Sequence, residues 1–238
     1  MIVNYTQQGW EIILQRSHGL LAAQICGHWR KDRQPKRWVE TLIAAAEHDD
    51  MSNELNFPDL IHKNGGPKNF KMSDFEPGRC EALIELALGK GRFIGLLISR
   101  HIQFLYAKDP AAKLYIKKLI KREITWLQEA QTTLDEISGS YELLEFCDAF
   151  SLLICQHLIQ PENRKMEIST GPDGKKYDLS LSDHGNLIVT PWPFEANIFE
   201  VIYETRHIEQ LTFQSSNEFK NILNAAVVEM KTVRISKT

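Results

Sequence analysis

The stretch "RWVETLIAAAEHDD", residues 37–50, constrains this chain more than any other. An α-helix turns about 100° per residue. On that wheel Trp38, Leu42, Ala45 and Ala46 share an apolar face, and Asp49 falls in its middle. His48 lies on the flank and Asp50 on the other side. An ionised carboxylate aimed into a core costs several kcal/mol unless something pairs with it. Three other helical stretches repeat the pattern. Asp148 shares a face with Leu144, Ser151, Cys155 and Leu158, His18 aligns with Ala22, Ile25 and Trp29, and His101 aligns with Ile94, Leu97, Ile98 and Leu105. Each alone has an ordinary explanation: a satisfied core histidine, or an aspartate paired with an arginine such as Arg16 or Arg100. Four such side chains on four helices point to a shared cation. Carboxylate oxygens with imidazole nitrogens suit a divalent transition metal (Mn, Fe, Co, Ni or Zn), with Mg also admissible, as one or two ions.

The rest of the chain organises around these helices. The first sixteen residues read as a β-hairpin, and Ser17 is placed to cap the helix "HGLLAAQICGHWR". Residues 53–78, rich in Asn, Pro, Gly and Lys, read as a long loop. Helices follow at 79–107 with a break near Gly89 and Gly91, from Pro110 to about Ile137, and, after a break at "SGS", up to Pro161. Beyond Pro161 the texture changes. "YDLSLSDHGNLIV" reads as two strands around a turn, "NIFEVIYETRHI" as a long strand, "SSNEFKNILNAAVVEMK" as a helix with a capping box, and "TVRIS" as a last strand. The expected fold is therefore mainly α, with a smaller sheet added in an α+β arrangement. It has a helical body over 1–162 and a smaller antiparallel β-sheet subdomain with one helix over 163–238, the N-terminal hairpin being free to join that sheet.

Composition narrows the function classes. The 238 residues are 43% hydrophobic and 25% charged with a net charge of −3, which offers no basic footprint for nucleic acid. Local basic clusters, "RKDRQPKR" (30–37) and "KKLIKR" (117–122), read as solvated faces. No stretch approaches bilayer-spanning length and no export signal opens the chain, so neither a nucleic acid nor a membrane partner is expected. Cys26, Cys80, Cys147 and Cys155 lack CxxC spacing and read as free thiols in a cytoplasmic protein.

Two resemblances follow from quoted residues. "QRSHGLLAAQICGHW", "EHDD", "GGPKNF" and "TPWPF" resemble, over the full length, an uncharacterised bacterial family from which no activity transfers. The order His18, then His48–Asp49, then a distant Asp148, all on helices, resembles the HD superfamily of metal-dependent phosphohydrolases, over roughly residues 10–160. That resemblance implies an HD-like helical bundle, His18, His48, Asp49 and Asp148 as metal ligands, and His101 as a ligand for a second ion or a phosphate contact. His62 is a weaker addition. Asp50 would orient a ligand histidine, while Arg100, Lys63, Lys68 and Arg16 would contact an anion. The Gly65-Gly66-Pro67 loop would cover the site, and His28 lies at its edge. The implied activity is hydrolysis of a small phosphorylated metabolite or nucleotide. The alternatives are a di-iron oxygenase on an HD scaffold, a non-enzymatic metal- or ligand-binding module, and a helical core whose His and Asp satisfy one another without metal.

Overall fold

A computed structural model describes residues 1–50 and 54–238. Seven strands form one sheet: β1 (Ile2–Thr6), β2 (Gly9–Ile13), β3 (Met166–Thr170), β4 (Lys176–Leu181), β5 (Leu187–Thr190), β6 (Ile198–Ile208) and β7 (Val228–Ser236). Their order is β1-β2-β6-β7-β5-β4-β3, antiparallel except where β5 meets β7. Among the described residues seven α-helices accompany them: α1 (Gln15–Gly27), α2 (Trp38–Glu47), α3 (Pro77–Lys90), α4 (Arg92–Leu105), α5 (Lys113–Glu129), α6 (Leu134–Cys155) and α7 (Ser216–Ala225).

The expectation of a mainly α, HD-like bundle with a smaller C-terminal sheet is therefore wrong: the α+β chain is built on one seven-stranded sheet. The physical reason lies in β6. Its eleven residues alternate buried and exposed, with Phe199, Val201, Tyr203 and Thr205 turned inward. A strand that long needs partners along its ladder. β7 pairs with it from Ile198 to Arg206, and β2 pairs with its last three residues, so one sheet takes strands from both ends of the chain. The β1–β2 turn brings Gly9, at φ 114°, against the end of β6. A Cβ there would lie 2.2 Å from the Ile208 carbonyl oxygen. Where β2 does not reach, Gln24 of α1 takes over. Its side-chain amide donates to the Ile202 carbonyl at 2.7 Å and accepts from the Ile202 N–H at 2.9 Å.

Several boundaries also differ. α1 starts at Gln15, without a Ser17 cap. The break after α5 lies at 130–133, where Gln131 has φ 50° and Thr133 caps α6 by accepting from the Glu136 N–H; "SGS" is inside α6. The C-terminal helix ends at Ala225, because Val228–Lys231 pair with β6. "MEIST", to which the sequence pattern assigns no element, forms β3.

One face of the sheet packs on α1 and α6, with α2 and α4 packed against those helices, in a core containing Ile13, Leu21, Leu97, Leu144, Phe146 and Val201. "PWPF" belongs here, Phe194 and Trp192 packing edge to face with each other and on Phe199. The other face, at its β2 end, is covered by α7 through Ile12, Ile208, Phe219 and Leu223. All four cysteines are free and buried. Among the described residues no helix is long and apolar enough to cross a membrane.

Candidate metal centre

A close helix crossing explains the candidate site. A Cβ added at Gly19 of α1 would lie 2.4 Å from the Ala46 carbonyl oxygen of α2. Glycine thus lets the two backbones nearly touch, and the residues on either side, His18 and His48, are carried together. His18 projects from the first turns of α1, His48 from the residue closing α2, Asp49 from the next position, His101 from α4 and Asp148 from α6. α6 packs on both α1 and α2, and α4 on α2 and α6, so the four helices present these five side chains to one point.

Three atoms form a nearly equilateral triangle. His18 Nε2 lies 3.1 Å from His48 Nε2 and 3.1 Å from Asp148 Oδ1, and His48 Nε2 lies 3.2 Å from the same oxygen. Asp49 spans the remaining directions. Its Oδ2 is 3.7 Å from His18 Nε2 and 3.6 Å from His48 Nε2, and its Oδ1 is 3.5 Å from His101 Nε2. His18 and His48 are fully buried. The sets His18–His48–Asp49 and His48–His101–Asp148 each have the spacing of ion ligands.

The outward bonds of the imidazoles determine what the triangle is. His48 Nδ1 lies 2.8 Å from the Ala45 carbonyl oxygen, which can only accept. Nδ1 therefore carries a hydrogen, and in the neutral ring Nε2 is a bare lone pair. The Ser151 hydroxyl donates to the Asp148 carbonyl at 2.8 Å, so it accepts from His18 Nδ1, also at 2.8 Å. His18 Nε2 is then bare as well. With both rings neutral, two imidazole lone pairs and a carboxylate oxygen would point at one another. That arrangement needs a cation at its centre, either a proton on one imidazole or a metal ion. Donors bonded to an ion at about 2.1 Å stand about 3.0 to 3.4 Å apart, so the triangle's edges fit an ion. The hydroxyl and carbonyl behind the rings fix tautomer and orientation as outer partners of metal sites do.

The electrostatics agree. Burial pushes the His48 imidazole down, but the Asp148 and Asp49 carboxylates and its hydrogen bonds outweigh that and raise its pKa to about 9. Burial likewise works to raise Asp49 and Asp148, yet the surrounding imidazoles hold both carboxyls below their ordinary value. Gln15 Nε2 donates to Asp49 Oδ2 at 2.8 Å. Both ring nitrogens of His101 are buried and without a hydrogen-bond partner, as is the Tyr141 hydroxyl, whose ring centroid stands 6.3 Å from that of His101.

A cavity of about 330 Å³ opens on Asp49, His101 and Asp148, and His18 and His48 do not line it. Phe57, Phe70, Leu105, Tyr106 and Leu152 supply apolar wall, and Arg16, Lys68, Lys71 and Arg79 supply cations. Lys68 and Arg79 are tied to Asp59 and Arg16 to Asp50, whereas Lys71 has no ion pair among the described residues.

Other expected contributors lie elsewhere. Asp50 bonds Arg16 Nε at 2.6 Å and orients neither histidine, because both Nδ1 atoms are engaged by other groups. Arg100 reaches Glu123 at 3.4 Å instead of the cavity. His28 stacks on Phe199 with centroids 3.9 Å apart. His62 and Lys63 do not line the cavity, and the Gly65-Gly66-Pro67 turn packs on Phe213 and Trp10, not over the site. Sequence reasoning gave no role to Gln15, Ser151, Gly19 or Tyr141. The first two had a signal, since each stands three residues from a ligand-type residue on the same helix.

Comparison with curated proteins and with solved structures returns no match. Residues 1–210 match the model of a family described as "Protein of unknown function (DUF3891)". The match covers most of the chain, and the chain belongs to that family.

Proposed function

We propose that this chain is a metal-dependent phosphohydrolase of HD type, acting on a small phosphorylated metabolite or nucleotide. The observation that carries the reading is the buried triangle of His18 Nε2, His48 Nε2 and Asp148 Oδ1, with edges of 3.1 to 3.2 Å and Asp49 beside it. His18, His48, Asp148 and Asp49 would hold the ion. A divalent ion in such a site supplies a Lewis acid for a phosphoryl oxygen and acidifies water near neutral pH. Ser151 and the Ala45 carbonyl keep the imidazole lone pairs inward, and Gln15 fixes Asp49. His101, on the cavity wall with Nε2 3.5 Å from Asp49 Oδ1 and Nδ1 without a hydrogen-bond partner, is placed to bond a phosphoryl oxygen or a second ion. Lys71 is the cation free to meet the substrate's charge, and the cavity volume favours a small substrate.

A second reading has its own support. The two Asp49 oxygens face different donor sets, as a carboxylate shared by two ions would. A two-iron centre with oxygenase chemistry would use the same residues.

Elemental analysis of the purified protein beside Asp49→Ala and Asp148→Ala tests both. Near-stoichiometric metal in the wild type, lost in both folded variants, supports the site, and phosphate release from a small-phosphoester panel with that metal supports hydrolysis. Coloured, iron-loaded protein inert on that panel favours the oxygenase. A wild type that binds no Mn, Fe, Co, Ni or Zn after incubation with the salts refutes the metal reading.

A further inference from the structure

The two basic clusters seen in the sequence meet different fates. In the first, Arg30, Arg33, Lys36 and Arg37 each find a carboxylate. In the second, only Arg122 does, with Glu81. Lys113, Lys117 and Lys121 follow at every fourth residue along the solvent face of α5, with Lys118 beside them, and none has an ion pair among the described residues. The nearby acids are committed: Glu123 is buried and accepts from Ser99 and Gln103, and Glu129 is held by Arg92. Interleaved with the lysines are Leu114, Ile124 and Ile120, exposed at 74%, 61% and 45%. A net charge of −3 for the chain conceals this face.

We infer that the outer face of α5 docks on an anionic phospholipid bilayer. Charge complementarity selects an anionic surface, and the mixture of residues selects lipid over protein. Lysine is depleted at protein–protein interfaces, where aromatic residues and arginine anchor, and this face has neither. A bilayer asks for no fixed register. It offers phosphates to each lysine and an acyl boundary to each aliphatic side chain. The opposite side of α5 leads back towards the cavity. Tyr106 of the cavity wall packs on Phe75, and Phe75 on Tyr115 of α5.

The test is co-sedimentation of the full chain with vesicles of phosphatidylcholine alone or with 30 mol% phosphatidylserine, at low and high salt. The expected result is pelleting with the anionic vesicles at low salt, release at high salt, and none with phosphatidylcholine. Each surface lysine contributes about fivefold to binding, so K117E/K121E should weaken it by about 25-fold or more with unchanged circular dichroism. L114S/I124S should weaken it while leaving its salt dependence intact. Absence of binding to anionic vesicles, equal binding by K117E/K121E, or binding to polyglutamate but not to vesicles would each overturn the inference.

Discussion

Replacing Gly19 with alanine tests the helix crossing on which the site depends. In an unobstructed helix, Gly→Ala stabilises by about 0.5–1 kcal/mol, because alanine loses less backbone freedom on folding. Gly139 of α6 is such a position, with nothing within 4 Å of an added Cβ. At Gly19 the methyl group would stand 2.4 Å from the Ala46 carbonyl oxygen, and ordinary contact begins near 3.4 Å. The two backbones must part by about an ångström, and overpacking of that kind costs about 1–3 kcal/mol. Gly95 lies between these cases, its nearest obstacle being the Leu88 Cδ2 at 2.5 Å, the movable end of a side chain. Urea unfolding of the three alanine variants in chelator should therefore rank Gly139→Ala above wild type and Gly19→Ala lowest. The same displacement opens the 3.1 Å His18–His48 spacing. Metal affinity of Gly19→Ala should fall at least about tenfold, since such sites demand placement within about 0.5 Å. If Gly19→Ala stabilises the protein as much as Gly139→Ala and keeps its metal, α1 and α2 do not cross this closely and the account of the site fails.

Two further outcomes follow from named contacts. Ser151→Ala removes the acceptor of His18 Nδ1–H. Calorimetric titration should show metal affinity about 10–100-fold weaker, with helix content preserved; unchanged affinity would mean that the hydroxyl does not hold the ring. Away from the site, Glu11 on β2 pairs with His157 just after α6. Burial works to raise the Glu11 carboxyl, but hydrogen bonds from His157 and Asn4 prevail and lower it, while the bond to Glu11 raises His157. Glu11 thus contributes stability above its ordinary 4.5 that is lost as pH falls through its lowered value. His157 contributes stability below its ordinary 6.5 that is lost as pH rises through its raised value. The stability gap between wild type and His157→Ala should be widest between about pH 4.5 and 6.5 and shrink on either side; a gap independent of pH would contradict the pairing.

The candidate ligands were legible because a helix imposes one strict period. Polar residues on the stripes of Trp38, Leu144 and Leu97 stand out however the helices pack. Their convergence was not legible, since it depends on Gly19, whose role appears only when α2 lies against it. Nor was the partner behind the His48 ring, because a backbone carbonyl carries no sequence signal; Ser151, behind His18, shows only its three-residue spacing from Asp148. The sheet was under-read for a related reason. "AAVVEMK" continues a helical pattern, and only pairing with β6 turns Val228–Lys231 into strand. At "SGS", an unobstructed Gly139 is tolerated within α6, and the effective stop comes earlier, at the Thr133 cap.

The Gln24 amide on Ile202 has a consequence for the molecule among its neighbours. Beyond the reach of β2, β6 would otherwise present bare backbone groups to the outside, beside exposed Ile202 and Leu20. Such an edge is a template onto which another chain can lay a strand. By engaging both the N–H and the carbonyl of Ile202, one glutamine imitates a strand one residue long and then stops. The edge is occupied at that point, and the helix that carries a candidate metal ligand on one side shields the sheet with another.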